Sequence, residues 1–179
     1  MGAIDKRSAG LSASANKQAG LGAAAKNQDV IRRLTWALAS VNVHLEELRY
    51  FWAKTLGISG SQWMILMALA ELDKDDGVPV NVVSKKLHVD SSFVTTQSKL
   101  LEKKGFLRRK TSTEDARIVQ MSLTDKTYKQ LASLASQQQA LNEFIFAELG
   151  DRELVDLTDK LVDLQGRLEK ACLKVVLDT

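Results

Sequence analysis

NVVSKKLHVDSSFVTTQSKLLEKKGFLRRKTSTEDARIVQMS, residues 81–122, decides the fold. Pro79 suits the first turn of a short helix, where its missing N–H costs nothing. That helix runs to about Leu87, with Val82, Val83 and Leu87 inward. The turn His88-Val89-Asp90 follows. Ser91 to Lys104 reads as a second helix, capped by Asp90 or Ser91. It turns Val94 and either Leu100 or Leu101 inward, and Gly105 stops it. Phe106–Thr111 and Arg117–Ser122 then read as two extended segments flanking the polar tip Ser112–Ala116, which makes a β-hairpin. A helix, a three-residue turn, a second helix and a hairpin together form a winged helix-turn-helix.

Charge singles out the same stretch. The chain has 179 residues, 25 Lys+Arg and 22 Asp+Glu, a net charge of +3. Residues 84–117 hold nine basic and four acidic groups, whereas residues 29–83 hold five and seven, and residues 118–179 hold seven and ten. A basic island between acidic flanks is the electrostatic footprint of a polyanion site. The second helix of the pair should bring its N-terminal turns to the base edges, so short hydrogen-bonding residues are wanted there. Ser91, Ser92, Thr95, Thr96, Gln97 and Lys99 meet that demand, with Gln97 able to pair bidentately with adenine. Lys103, Lys104, Arg108, Arg109 and Lys110 lead into the wing. Arg117, just past its tip, would reach a minor groove or the flanking phosphates.

Outward from this stretch the pattern is helical. Ile31, Leu34, Leu38, Val41, Leu45, Leu48 and Trp52 step by three or four along one helix face, with Asp29 as its expected cap and Gly57 as its stop. Ser59 or Ser61 starts a helix over Gln62 to about Leu72, carrying Trp63, Ile65, Leu66 and Leu69. Asp73, Asp75, Asp76 and Gly77 read as a solvated loop. Thr124 or Asp125 caps a long helix to Leu149, which Gly150 breaks. Leu154, Leu157, Leu161, Leu164, Leu168, Ala171 and Val175 form a heptad seam of the kind that packs along a partner helix. Residues 1–28 contain eight Ala, four Gly and three Ser and are expected to be a flexible tail. The expected fold is therefore mainly α with a small β-hairpin wing. Residues 60–122 form the winged helix-turn-helix lobe, and residues 29–56 and 124–179 form the dimerisation helices of one unit spanning 29–179.

Three pieces of this sequence resemble the MarR family of transcriptional regulators: Leu101-Glu-Lys-Lys-Gly-Phe-Leu-Arg-Arg109, Glu114-Asp-Ala-Arg117 and Ser122-Leu-Thr124. The resemblance extends over about residues 29–175. It implies a homodimer with intertwined terminal helices, whose two winged lobes read a roughly palindromic operator. It also implies that Asp115 orients Arg117 and that Arg117 enters the minor groove. Many relatives have Arg where Ala116 stands, and relatives often have Arg where Thr96 stands, so the operator sequence does not carry over. Independently, the 31–52 and 154–175 faces are more apolar than one small lobe needs. A two-fold dimer would also place two recognition helices about 34 Å apart in successive major grooves.

Family members often bind small aromatic or phenolic acids, and binding releases DNA. Five of ten aromatic residues lie within residues 36–63. Arg32, Trp36, His44, Arg49, Trp52, Trp63 and Met67 are the candidate effector-binding residues, for an aromatic carboxylate or an aromatic acyl-CoA thioester. Cys172 is the only cysteine. It excludes an intrachain disulfide, fits a reducing, cytoplasmic setting and is expected to be packed, although Lys170 and Lys174 beside it leave redox sensing open. His44 and His88 are the only histidines and stand far apart, so no metal site is expected. The sequence has no phosphate loop, nucleophile elbow or spaced ligand set, so neither an enzyme nor a cofactor is expected. No apolar run reaches the roughly 18–20 residues of a membrane span. A helical protein-interaction module without DNA binding would use the same heptads, but it would not need the basic island.

Overall fold

The computed structural model describes residues 5–72 and 77–177, with side chains from residue 27 onward. The element order is α1 (Asp5–Thr55), α2 (Gly60–Leu72), β1 (Val78–Pro79), α3 (Val80–Leu87), α4 (Ser91–Lys103), β2 (Leu107–Thr111), β3 (Val119–Leu123), α5 (Asp125–Phe146) and α6 (Asp151–Leu177). The chain divides into two compact units, residues 1–124 and residues 125–179. This is a mainly α winged-helix fold, as the sequence predicts.

The first unit is built on helix ends that the sequence specifies. Ser59 and Gln62 form a reciprocal capping box at the start of α2. The Ser59 N–H donates to Gln62 Oε1 at 3.2 Å, and the Gln62 N–H donates to Ser59 Oγ at 3.2 Å. At the end of α4 the Phe106 N–H donates to the Leu101 carbonyl (3.0 Å) and the Gly105 N–H to that of Glu102 (2.9 Å). This paired closure requires a left-handed residue, and Gly105 supplies it with φ of 77°. Phe106 and Leu101, the two ends of that closure, are both buried. Residues 53–58 close α1 the same way, with Gly57 at φ 68°.

The core gathers Ala53, Ile65, Leu66, Leu69, Val83, Val94, Leu101, Leu107 and Met121, each at 1 % exposure or less. The sheet runs in the order β1-β3-β2, all antiparallel. Leu107 pairs with Leu123 and Arg109 with Met121 on one face, whereas Arg108 pairs with Ser122 and Lys110 with Gln120 on the other. The period of two therefore turns Arg109, not Arg108, toward the core.

Several expectations are corrected. Asp29 does not cap α1. The helix begins at Asp5 and runs through the segment expected as a tail, in keeping with that segment's alanines, the strongest helix formers. Asp29 instead pairs with Arg32 and Arg33. Pro79 does not open α3 from inside. It is the extended cap residue (φ −60°, ψ 143°) and belongs to β1, a two-residue strand paired to β3. An edge strand tolerates the missing N–H. Val82 faces outward, and Leu101 rather than Leu100 enters the core. The α5 helix ends at Phe146, before Leu149.

The second unit, α5 and α6, differs in kind. No residue of α6 is buried. Of its heptad positions, Leu157, Leu161, Leu168 and Val175 are 44 %, 42 %, 55 % and 64 % exposed. The α1 face is likewise buried only near its end, at Trp52 and Ala53, while Ile31, Leu34, Val41 and Leu45 remain exposed.

Candidate nucleic-acid interface

The basic island of the sequence maps onto α3, α4 and the wing. A helix start positions α4. Asp90 caps it, with Oδ1 accepting from the Ser92 N–H at 2.7 Å. Hydrogen bonds from the Ser92 side chain and backbone hold the Asp90 carboxyl below the usual carboxylate range. On one side of α4, Val94, Ser98 and Leu101 are fully buried, which fixes the opposite side as the open face. Lys99 and Lys103 are exposed. At the far end, Lys104 Nζ donates to the Gly57 carbonyl at 2.8 Å, bracing α4 against the α1–α2 corner.

The hydroxyl and amide groups expected to read bases are largely engaged within the chain. Ser84 donates its hydroxyl to the Asn81 carbonyl (3.0 Å), so in the 2.8 Å contact between Ser84 and Ser91 it is Ser91 that donates. The Ser92 side chain bonds Asp90. Thr96 donates to the Ser92 carbonyl at 3.0 Å, one turn back along its own helix. Gln97 is half-buried, and its Oε1 accepts from Gln62 Nε2 at 3.1 Å. Gln97 is thus turned toward α2, and the bidentate adenine contact expected of it does not fit this placement. Thr95 is half-buried at the edge of a cleft.

That cleft, of about 300 Å³, is lined by Val80, Asn81, Ser91, Thr95, Arg109, Arg117, Ile118 and Val119. Strand pairing sets Arg109 opposite Met121 on the inward side of β2, and Arg109 lines the cleft between α4 and the wing. Arg109 Nε is buried and has no hydrogen-bond partner. Arg117 lines the same cleft with its side chain 93 % exposed. Asp115 orients it twice. Its Oδ1 accepts from the Arg117 backbone N–H at 2.9 Å and lies 3.4 Å from Arg117 Nε. Two structural residues escaped the sequence reading. Glu102 Oε1 accepts from the Arg109 N–H at 2.9 Å and fastens the wing to α4. Gln62 joins the α2 capping box to Gln97. Their signal, a polar side chain on an inward or flanking helix position, does not name its partner.

The candidate effector residues do not converge. Arg32 to Trp52 spans about 30 Å of helix at about 1.5 Å per residue. Trp36 is 73 % exposed, whereas Trp52 and Trp63 lie in the core at 8 % and 3 %. His44 pairs with Glu47 at 3.2 Å, and Met67 is half-buried. Arg49 lines an open recess of about 460 Å³ shared with Glu46, Gly60, Ser61, Met64 and Leu87. Cys172, expected to be packed, is exposed. Among the described residues, no three or more His, Cys, Asp or Glu gather as a metal site, and no helix is long and apolar enough to cross a membrane. Asp73, Asp75 and Asp76 lie outside the described residues.

Comparison with known proteins now adds a name to this geometry. Residues 58–119, from the end of α1 to the first residue of β3, match the MarR family. The chain is 29 % identical over 112 residues to the uncharacterised HTH-type transcriptional regulator YdgJ of Bacillus subtilis, covering 63 % of this chain and 66 % of that one. It is 27 % identical over 112 residues to the HTH-type transcriptional repressor MdtR of the same organism, covering 61 % and 72 %. Among solved structures, a MarR protein from Peptoclostridium difficile superposes with a TM-score of 0.66 at 20 % identity, covering 79 % of this chain and 91 % of that one. The MepR protein of S. aureus, solved as a complex with DNA, gives 0.64 at 17 %, covering 74 % and 96 %. These structures share the fold. The MarR family model therefore matches the segment that carries the helix pair and the Asp115–Arg117 wing tip, and the similar proteins are transcriptional regulators rather than enzymes.

Proposed function

We propose that the protein binds double-stranded DNA as a homodimer and represses transcription from a palindromic operator. The observation that carries this reading is the cleft that brings Arg109 and Arg117 together beside the first turns of α4. Two arginines lining one cleft, one with an Nε that lacks an acceptor and the other exposed and held by a carboxylate, suit a phosphodiester. The names of two similar proteins, a repressor and a protein crystallised with DNA, support the same reading. Dimerisation is supported by the exposed α1 and α6 faces, which leave large apolar side chains in water within one chain. The MarR resemblance adds an effector, an aromatic carboxylate or its CoA thioester, that releases the DNA. In this chain the recess beside Arg49, with Met64 and Leu87 as apolar walls, offers the place for it.

Light scattering tests the assembly. The expected result is a dimer at micromolar concentration that binds one duplex. A monomer that binds operator with full affinity overturns the reading. A panel of aromatic carboxylates and their thioesters tests the effector part. The expectation is that one of them weakens DNA binding in the native protein and fails to do so in Arg49→Ala.

A further inference from the structure

The open face of α4 is not the hydrogen-bonding surface its composition suggests. The Ser91, Ser92, Thr96 and Ser98 hydroxyls bond within the chain, and so does the Gln97 amide oxygen. Besides the exposed Ser91 and Ser92 at its start and the charged Lys99, Glu102 and Lys103, what α4 and the turn before it present to solvent is largely apolar. Val89 is 38 % exposed, Phe93 39 % and Leu100 42 %, and Thr96, also exposed, falls between the last two. The spacing 93, 96, 100 is one helical stripe, and Val89 leads into it from the turn. Because the Thr96 hydroxyl donates to the carbonyl of Ser92, its methyl is the part left to contact a ligand.

An aromatic ring exposed in the first turn of a helix, inside the most basic segment of the chain, fits one occupant: the major groove of DNA. There the apolar feature is the C5-methyl group of thymine, which Phe and the Thr methyl contact directly. The flanking Lys99, Lys103, Arg109 and Arg117 supply the complementary charge for the phosphates on either side. We infer that Phe93 and the Thr96 methyl are specificity-determining residues that read thymine methyl groups in the operator half-site. This inference rests on the DNA-binding reading proposed above. It replaces direct hydrogen-bond readout by Gln97 and the α4 hydroxyls with apolar readout.

The test uses the full chain and a duplex it selects from a random-sequence pool. Each thymine of the half-site is replaced in turn by deoxyuridine, which removes the methyl group and leaves every hydrogen-bonding edge intact. Replacement at one or two positions should weaken binding about fourfold each, the value of burying one methyl-sized group. Phe93→Ala should bind the thymine duplex as weakly as the native protein binds the uracil one, with little further loss on uracil. Phe93 lies on the surface, so this variant should keep its fold. Thr96→Val, which keeps the methyl and loses the hydroxyl, should retain the thymine preference, and Thr96→Ser, which does the opposite, should lose part of it. Equal affinity for thymine and uracil duplexes, with salt-dependent binding intact, overturns methyl readout and leaves DNA binding standing. Absence of salt-dependent binding to any selected duplex overturns both.

Discussion

Leu101 and Leu161 occupy the same kind of position, an apolar site in a helix with a repeating apolar face, and they have opposite environments. Leu101 in the winged lobe is fully buried. Leu161 in α6 is 42 % exposed, and nothing in α6 is buried. The winged lobe closes a core together with the end of α1, because α2, α3, α4 and the three-stranded sheet each contribute a face and Trp52 and Ala53 complete it. The α6 helix has a longer and more regular seam, of which Leu154 and Leu164 are partly covered and no position is buried. A closed core specifies a folded lobe, whereas an uncovered seam is what the proposed dimer would bury.

The two leucines should therefore fail differently. Leu101→Ala leaves a cavity between α4, α2 and the wing and should lower lobe stability by about 2–5 kcal/mol. Thermal unfolding would read this as a large drop in Tm, with dimerisation retained below the transition. Leu161→Glu should do the reverse, leaving the lobe's melting in place and giving monomers by light scattering. With its two half-site contacts uncoupled, operator affinity should fall by about 100-fold or more. If Leu161→Glu instead unfolds the lobe and Leu101→Ala leaves it unchanged, the contrast is wrong.

The smallest effect concerns the start of α4. The Asp90 carboxyl titrates below its ordinary value of 3.8 because Ser92 hydrogen-bonds its charged form. A group with a depressed folded pKa stabilises the folded state above its unfolded pKa, and that contribution is lost as pH falls through the folded value. The native protein should therefore lose a small part of its stability below about pH 4 that Asp90→Asn, which keeps the cap but not the charge, does not lose. Parallel acid-unfolding curves for the two proteins would remove this role from Asp90.

The parts legible in the sequence are those set by local chemistry. Gly105 announces the end of α4 because only a left-handed residue closes that turn, and the Asp90 cap follows from its place before a helical run. The wing strands announce themselves by extended residues around a polar tip. The tertiary half of the site is not written locally. Two-residue β1 is too short to show a period, so Pro79 reads as a helix start. Leu100 and Leu101 are adjacent and equally apolar, and only the packing of α4 chooses between them. Gln97 and Thr96 look like hydrogen-bonding base readers because composition does not reveal that Gln62 and the Ser92 carbonyl already engage the Gln97 oxygen and the Thr96 hydroxyl. The aromatic residues do not gather within one chain for a similar reason. Proximity in sequence along one helix spreads Trp36 and Trp52 over many turns, one in water and one in the core.

The central claim is that the cleft between α4 and the wing grips the DNA backbone through Arg109 and Arg117. The most direct test is the affinity for a selected duplex, measured across a salt series for the native protein, Arg109→Ala and Arg117→Ala. Native affinity should fall steeply and linearly on logarithmic axes, and each variant should bind more weakly, with a slope shallower by about one unit per lost phosphate contact. Native binding that does not change with salt, or variants that keep both the affinity and the slope, would contradict the account.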